Sequence, residues 1–177
     1  LSCKGEGALA DGLLDLSRQR WIGVLEADGQ DCLVSFSLDR SNQSPKILHR
    51  PADFVGYAVL SPTNDQLAWV EWQEPCMPWE ASQLWWARLN DAGEIQSKTV
   101  LAGSYPNEIH RTSVFQPLWL PSGELIVAED KSGWWNLMVA GPEIDPHADS
   151  LWRKPWPMAA EIAMPQWVFG MTTIASA

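Results

Sequence analysis

Leu67-Ala68-Trp69-Val70-Glu71-Trp72 is apolar on both faces when drawn as an extended chain. Side chains alternate across a strand, so Leu67, Trp69 and Glu71 share one face and Ala68, Val70 and Trp72 the other. A strand of that composition has to be covered on both sides. After a loop from Gln73 to Ser82 that holds two prolines comes Leu84-Trp85-Trp86-Ala87-Arg88-Leu89, of the same character. Leu33-Val34, Leu84-Trp85 and Trp134-Trp135 each open a short apolar run, and they lie 51 and 50 residues apart. Pro117-Leu118-Trp119 is echoed 48 residues on at Pro165-Gln166-Trp167. Ala58-Val59-Leu60-Ser61-Pro62 resembles Pro117-Leu118-Trp119-Leu120-Pro121, 59 residues on. A period near 50 is too long for a solenoid of single hairpins; it suits one four-stranded propeller blade per repeat.

Turn chemistry outside this stretch agrees. Asp28-Gly29 separates Trp21–Glu26 from Cys32–Leu38 and favours a tight hairpin. Thr63-Asn64-Asp65, Asn90-Asp91-Ala92-Gly93, Pro121-Ser122-Gly123 and Lys131-Ser132-Gly133 punctuate the later runs. Thirteen prolines spread along the chain exclude long helices; a short helix is allowed only around Leu13-Leu14-Asp15-Leu16, beyond a Gly-rich start. The expected fold is all-β: residues 1–177 form a partial β-propeller, with four-stranded blades at about 18–50, 55–104 and 114–155 and the start of a next blade over 165–177. A two-layer sandwich is the alternative for a chain so rich in hairpins.

Of the 177 residues 46% are hydrophobic, enough for a packed core and against disorder. Twelve Trp, against two Tyr and four Phe, read mainly as large plugs between sheets. A net charge of −10 would repel a phosphate backbone, so nucleic acid is not an expected partner. No apolar run approaches the length of a membrane span, and no membrane partner is expected. Cys3, Cys32 and Cys76 are odd in number and lack CxxC spacing, which reads as reduced, mostly buried thiols in a cytoplasmic protein. His49, His110 and His147 lie far apart and pair with no ligand set, so neither a metal nor a cofactor is expected. The opening Leu1-Ser2-Cys3-Lys4-Gly5 is neither a signal peptide nor an initiator Met and predicts a piece of a longer protein.

Several motifs carry a resemblance. Leu67–Trp72 with Pro75-Cys76-Met77-Pro78-Trp79 and Leu84-Trp85, Ser113–Trp119, Ser132–Leu137 and Pro165-Gln166-Trp167-Val168-Phe169-Gly170-Met171 occur in order over about residues 10–177. Together they resemble the N-terminal propeller of prolyl-oligopeptidase-family serine peptidases, in the branch of dipeptidyl aminopeptidase and acylaminoacyl-peptidase-like enzymes. Leu120-Pro121-Ser122-Gly123 and Glu129-Asp130-Lys131 depart from the family's usual turns. The resemblance implies a propeller that caps an α/β-hydrolase domain bearing a Ser-His-Asp triad, with a peptide as substrate.

No catalytic residue is expected in this chain. The nucleophile elbow G-x-S-x-G, whose strained strand-to-helix turn exposes a Ser beside its base, is absent. Ser122 and Ser132 each precede a Gly and read as turn residues. Paired carboxylates such as Glu71 with Glu74 read as solvated charge, but Glu71 interrupts an apolar strand and must find a donor or face the propeller channel. Glu71 is therefore a candidate for meeting a peptide amino group. Trp72 and Trp79, at either end of a Pro-stiffened apolar loop, read first as a plug folded back on their own blade, and otherwise as candidates for facing substrate or the hydrolase domain. The expected role is a non-catalytic scaffold and substrate gate, with the hydrolase domain as partner. Bare blade faces predict self-association of the chain on its own. The rival expectations are a stand-alone interaction module and a carbohydrate-binding sandwich.

Overall fold

The computed structural model describes residues 7–39 and 44–175, and the extended runs appear there as twelve strands in three four-stranded antiparallel sheets. β1 (Ala8–Asp15), β2 (Arg20–Ala27), β3 (Gln30–Ser37) and β4 (Lys46–His49) form the first sheet. β5 (Phe54–Leu60), β6 (Gln66–Trp72), β7 (Gln83–Leu89) and β8 (Ile95–Gly103) form the second. β9 (Val114–Trp119), β10 (Leu125–Glu129), β11 (Asn136–Ala140) and β12 (Trp152–Arg153) form the third. Within each sheet the strands pair in chain order. β5 lies beside both β1 and β9, so the three first strands share the centre and the sheets fan from them as successive blades. Three such meanders, in place of two facing layers, exclude the sandwich.

The two-faced strand lies in the middle. Leu67 and Trp69 of β6 pack with Ile22, Val24 and Leu33 of the first sheet. Ala68 and Val70 pack with Phe115, Leu125 and Val127 of the third. Those four β6 side chains are fully buried. Adjacent tryptophans divide the same way: Trp85 faces the first sheet and Trp86 the third. On the far side of the first sheet, Cys32, Val34 and Phe36 cluster with Leu9, Trp21 and Leu25. Cys32 and Cys76 are free and buried, whereas Cys3 lies outside the described residues.

One device recurs in all three first strands. The register slips between Ala10 and Leu13, between Gly56 and Val59, and opposite Ile126 and Ala128. A residue with positive φ sits at each slip: Asp11 at 47°, Tyr57 at 57° and Gln116 at 53°. A bulge of this kind bends the strand and re-aims a side chain. The Asp28-Gly29 turn is as expected from its sequence: both residues have positive φ, and Ala27 pairs directly with Gln30.

Two segments differ from the sequence reading. Leu13 and Leu14 belong to β1, and only Leu16–Arg18 makes a helical turn, a single 3-10 one capped by Asp15. Pairing with β2 and burial of Ala10 and Leu13 against the second sheet override the local helical pattern. The segment read as opening a further blade, from 165, carries no strand among the described residues. Strand pairing needs a neighbouring backbone in register; here side chains of β5 and β9 hold the segment instead.

Candidate functional site

The loop between β6 and β7 is built to present Trp79. Met77 N–H donates to Glu80 at 2.8 Å, and the Glu80 and Ala81 amides return to the Met77 carbonyl. The loop is tied to the third sheet at Ser82, whose hydroxyl lies 3.0 Å from the Ser113 hydroxyl and accepts from the Val114 amide at 2.9 Å. Ser113 also donates to the Pro78 carbonyl. Thus anchored, Trp79 packs its indole against Trp167, ring centres 4.3 Å apart. At the other end of the loop, Trp72 stacks on its cross-strand partner Phe54, at 5.6 Å and 18°.

Trp72 and Trp79 line one cavity of about 440 Å³. Tyr57 from the β5 bulge, Met77, Pro78 and the run Gln166–Phe169 complete its lining, and no charged residue is among them. The volume lies within the usual range for ligand pockets, as does the apolar, aromatic lining. The Tyr57 hydroxyl donates to the Val168 carbonyl at 2.6 Å. Burial, with the Asp11 charge adding to it, pushes the Tyr57 phenol up to about 12. Burial likewise raises the Asp11 carboxyl, against a partial offset from the Tyr57 amide it accepts from. Gln166 is 4% exposed, and its side-chain oxygen and nitrogen meet no hydrogen-bond partner among the described residues.

Glu71 is not brought to this cavity. Its Oε1 lies 2.5 Å from His49 Nε2 of β4 and accepts from Trp69 Nε1 at 2.6 Å, in a site 6% exposed. Lys98 of β8 donates to His49 Nδ1 at 2.5 Å, so the imidazole accepts at Nδ1 and donates its Nε2–H to Glu71. The carboxylate in the apolar strand thus found its donors inside the junction of the first two sheets. Of the two outcomes open to a carboxylate in an apolar strand, finding a donor is the one met here.

A larger open depression of about 980 Å³ lies between residues 103–112 and the Asp130–Gly133 turn. Its acidic groups are already used by backbone amides: Glu80 by Met77, Glu108 by Tyr105 and Asp130 by Ser113. Ser122 and Ser132 sit in turns, bonded to Glu124 and to the Trp134 carbonyl. Among the described residues no group of three or more His, Cys, Asp or Glu is placed to hold a metal ion, and no helix is long and apolar enough to cross a membrane. Sequence reasoning singled out Trp72 and Trp79 but missed Tyr57, Gln166 and Trp167. The Pro165-Gln166-Trp167 echo was visible, but nothing local indicates that it lies over Trp79.

The same arrangement of strands is found in solved structures. A puromycin hydrolase matches 96% of this chain at 30% identity, with a TM-score of 0.81. The chain belongs to the prolyl oligopeptidase family. A second member, a puromycin-hydrolyzing peptidase of Mycobacterium tuberculosis, matches 93% of the chain at 25% identity and a TM-score of 0.79. In both cases the chain spans 26% of the other protein's length. A TolB-like structure from Agrobacterium tumefaciens shares the fold alone, at 10% identity and a TM-score of 0.56 over 84% of the chain and half of its own length. No family model matches the chain, and neither does any curated protein. Within the prolyl oligopeptidase family the chain corresponds to the propeller part.

Proposed function

We propose that this chain is the non-catalytic propeller segment of a serine peptidase, serving as scaffold and substrate-access gate for an α/β-hydrolase domain outside residues 1–177. The observation that carries this reading is the match of 96% of the chain to 26% of a puromycin hydrolase at 30% identity. The sequence supports it from the other side, since no Ser stands in the frame of a nucleophile elbow. Short peptides are the proposed substrates of the whole protein, and puromycin is the first compound to try, given what the relatives hydrolyse. Trp72 and Trp79 are the residues proposed to meet substrate. The free thiols Cys32 and Cys76 fit a reducing cytoplasm. Alone, the chain is proposed to self-associate, since Leu14, Leu16 and Leu38 of the first sheet and the turns flanking it stand exposed.

The experiment is a hydrolysis assay on aminoacyl and peptidyl chromogenic substrates and on puromycin. Residues 1–177 alone give no turnover, whereas the chain continued into its downstream reading frame does. Turnover by the purified chain alone, or a downstream frame with no hydrolase-like sequence, overturns the proposal.

A further inference from the structure

We infer that the cavity under Trp72 and Trp79 is a binding site for an uncharged, internal stretch of peptide carrying an aromatic side chain, and that Gln166 is the residue that reads its backbone. The inference deepens the access-gate reading, on which it rests for the presence of a peptide.

The unpaired amide of Gln166 is the first ground. Leaving a buried polar group without a partner is unfavourable, and such groups are rare in folded proteins. Gln166 is 96% buried, judged from its 4% exposure, lines the cavity, and has both its amide atoms unpartnered among the described residues. A side-chain carboxamide offers one acceptor and two N–H donors. A peptide group offers the complement: its N–H donates to Gln166 Oε1 while a carbonyl accepts from Gln166 Nε2.

The lining sets the rest. Trp72, Trp79 and Trp167 supply aromatic faces, and an aromatic ring prefers offset or edge-to-face neighbours of that kind. Since no charged residue lines the cavity, a free amino or carboxyl terminus would be desolvated without compensation. The site therefore favours a chain interior over a chain end. This separates it from chemistry at a peptide terminus.

The experiment is a titration of the full 177-residue chain with N-acetyl-Gly-Phe-Gly-amide, read by tryptophan fluorescence and by calorimetry. Saturable binding is expected. Uncapped Gly-Phe-Gly binds at least about tenfold more weakly, and so does the capped peptide methylated on the Phe nitrogen, which lacks one donor. Gln166→Leu, with its fold checked by circular dichroism, loses about tenfold for the capped peptide and no longer distinguishes it from the methylated one. If Gln166→Leu does not fold, the comparison of the two ligands on the native chain decides alone. Absence of saturable binding, or equal binding of the methylated and unmethylated peptides, overturns the inference. Neither outcome touches the access-gate reading, which is tested by turnover of the extended protein.

Discussion

The Tyr57 hydroxyl reaches across 111 residues of sequence to donate to the Val168 carbonyl at 2.6 Å. Tyr57 is also in edge contact with Phe115, ring centres 5.3 Å apart, so it joins the second sheet, the third sheet and the C-terminal run at one point. Tyr57→Phe keeps the ring and deletes the bond, and is expected to lower stability by about 1 kcal/mol in urea unfolding. Its ionisation carries a sign. With the phenol pushed up to about 12 from 10.0 by burial and the Asp11 charge, the folded state resists losing this proton. The associated stability is complete below pH 10 and is lost as pH rises toward 12. Spectrophotometric titration should show a late phenolate step that disappears in Tyr57→Phe.

Glu71 holds two donors, His49 Nε2 and Trp69 Nε1, where the first and second sheets meet. Glu71→Ala leaves both unpaired in a buried site, and the penalty for each is about 1–3 kcal/mol. A loss of about 3 kcal/mol is expected from urea midpoints. Both donors meet the same oxygen, Oε1, so Glu71→Gln retains an acceptor for each, loses only the charge, and should lose less. If Glu71→Ala were neutral, the buried network would have no structural weight.

Asp15 gives the acid limb. It accepts from Arg20 at 2.8 Å and from Arg18 at 3.0 Å while itself fully buried. Burial alone would raise its carboxyl; the hydrogen bonds from Ser17, Arg20 and Arg18 and the Arg20 charge outweigh burial and hold it below the ordinary 3.8. A depressed folded value means that the stability is present above pH 3.8 and is lost as pH falls through that lower value. Asp15→Asn should therefore be less stable than the native chain at pH 7, and the gap should close on acidification below pH 3.8.

Much of the architecture was legible because it rests on local pattern. The alternation in Leu67–Trp72 marks a strand with two buried faces, and Asp28-Gly29 marks a hairpin, since both depend on neighbours in sequence. β1 was not legible: its Gly12 lies where a Cβ would come within 2.0 Å of the Trp21 indole, a close approach that only the paired strands reveal. Half of the cavity was legible. Trp72 and Trp79 stand at the ends of one stiff loop, but Tyr57 and Gln166 reach the cavity through a bulge and through a contact more than 100 residues distant. Glu71 was legible as a carboxylate in need of a donor, but the donor was not, because His49 stands 22 residues earlier on another sheet.

Gln116 separates the backbone role of a bulge from the role of its side chain. Its Nε2 donates to Thr172 Oγ1 at 2.5 Å and to the Ile174 carbonyl at 2.7 Å, and its Oε1 accepts from the Thr173 amide at 2.7 Å. Its φ of 53° is unfavourable for a residue with a Cβ by about 1–2 kcal/mol. Gln116→Gly removes the clamp and relieves the backbone; Gln116→Ala removes the clamp and keeps the strain. Hydrogen exchange of the Thr173 amide should quicken in both, since its acceptor is gone. The urea midpoint should fall further in Gln116→Ala than in Gln116→Gly, because only the alanine retains an unfavourable left-handed residue with no side-chain bonds to offset it. Unchanged exchange at Thr173 in both variants would mean that the C-terminal run is held by its contacts with Tyr57 and Trp79 and not by Gln116.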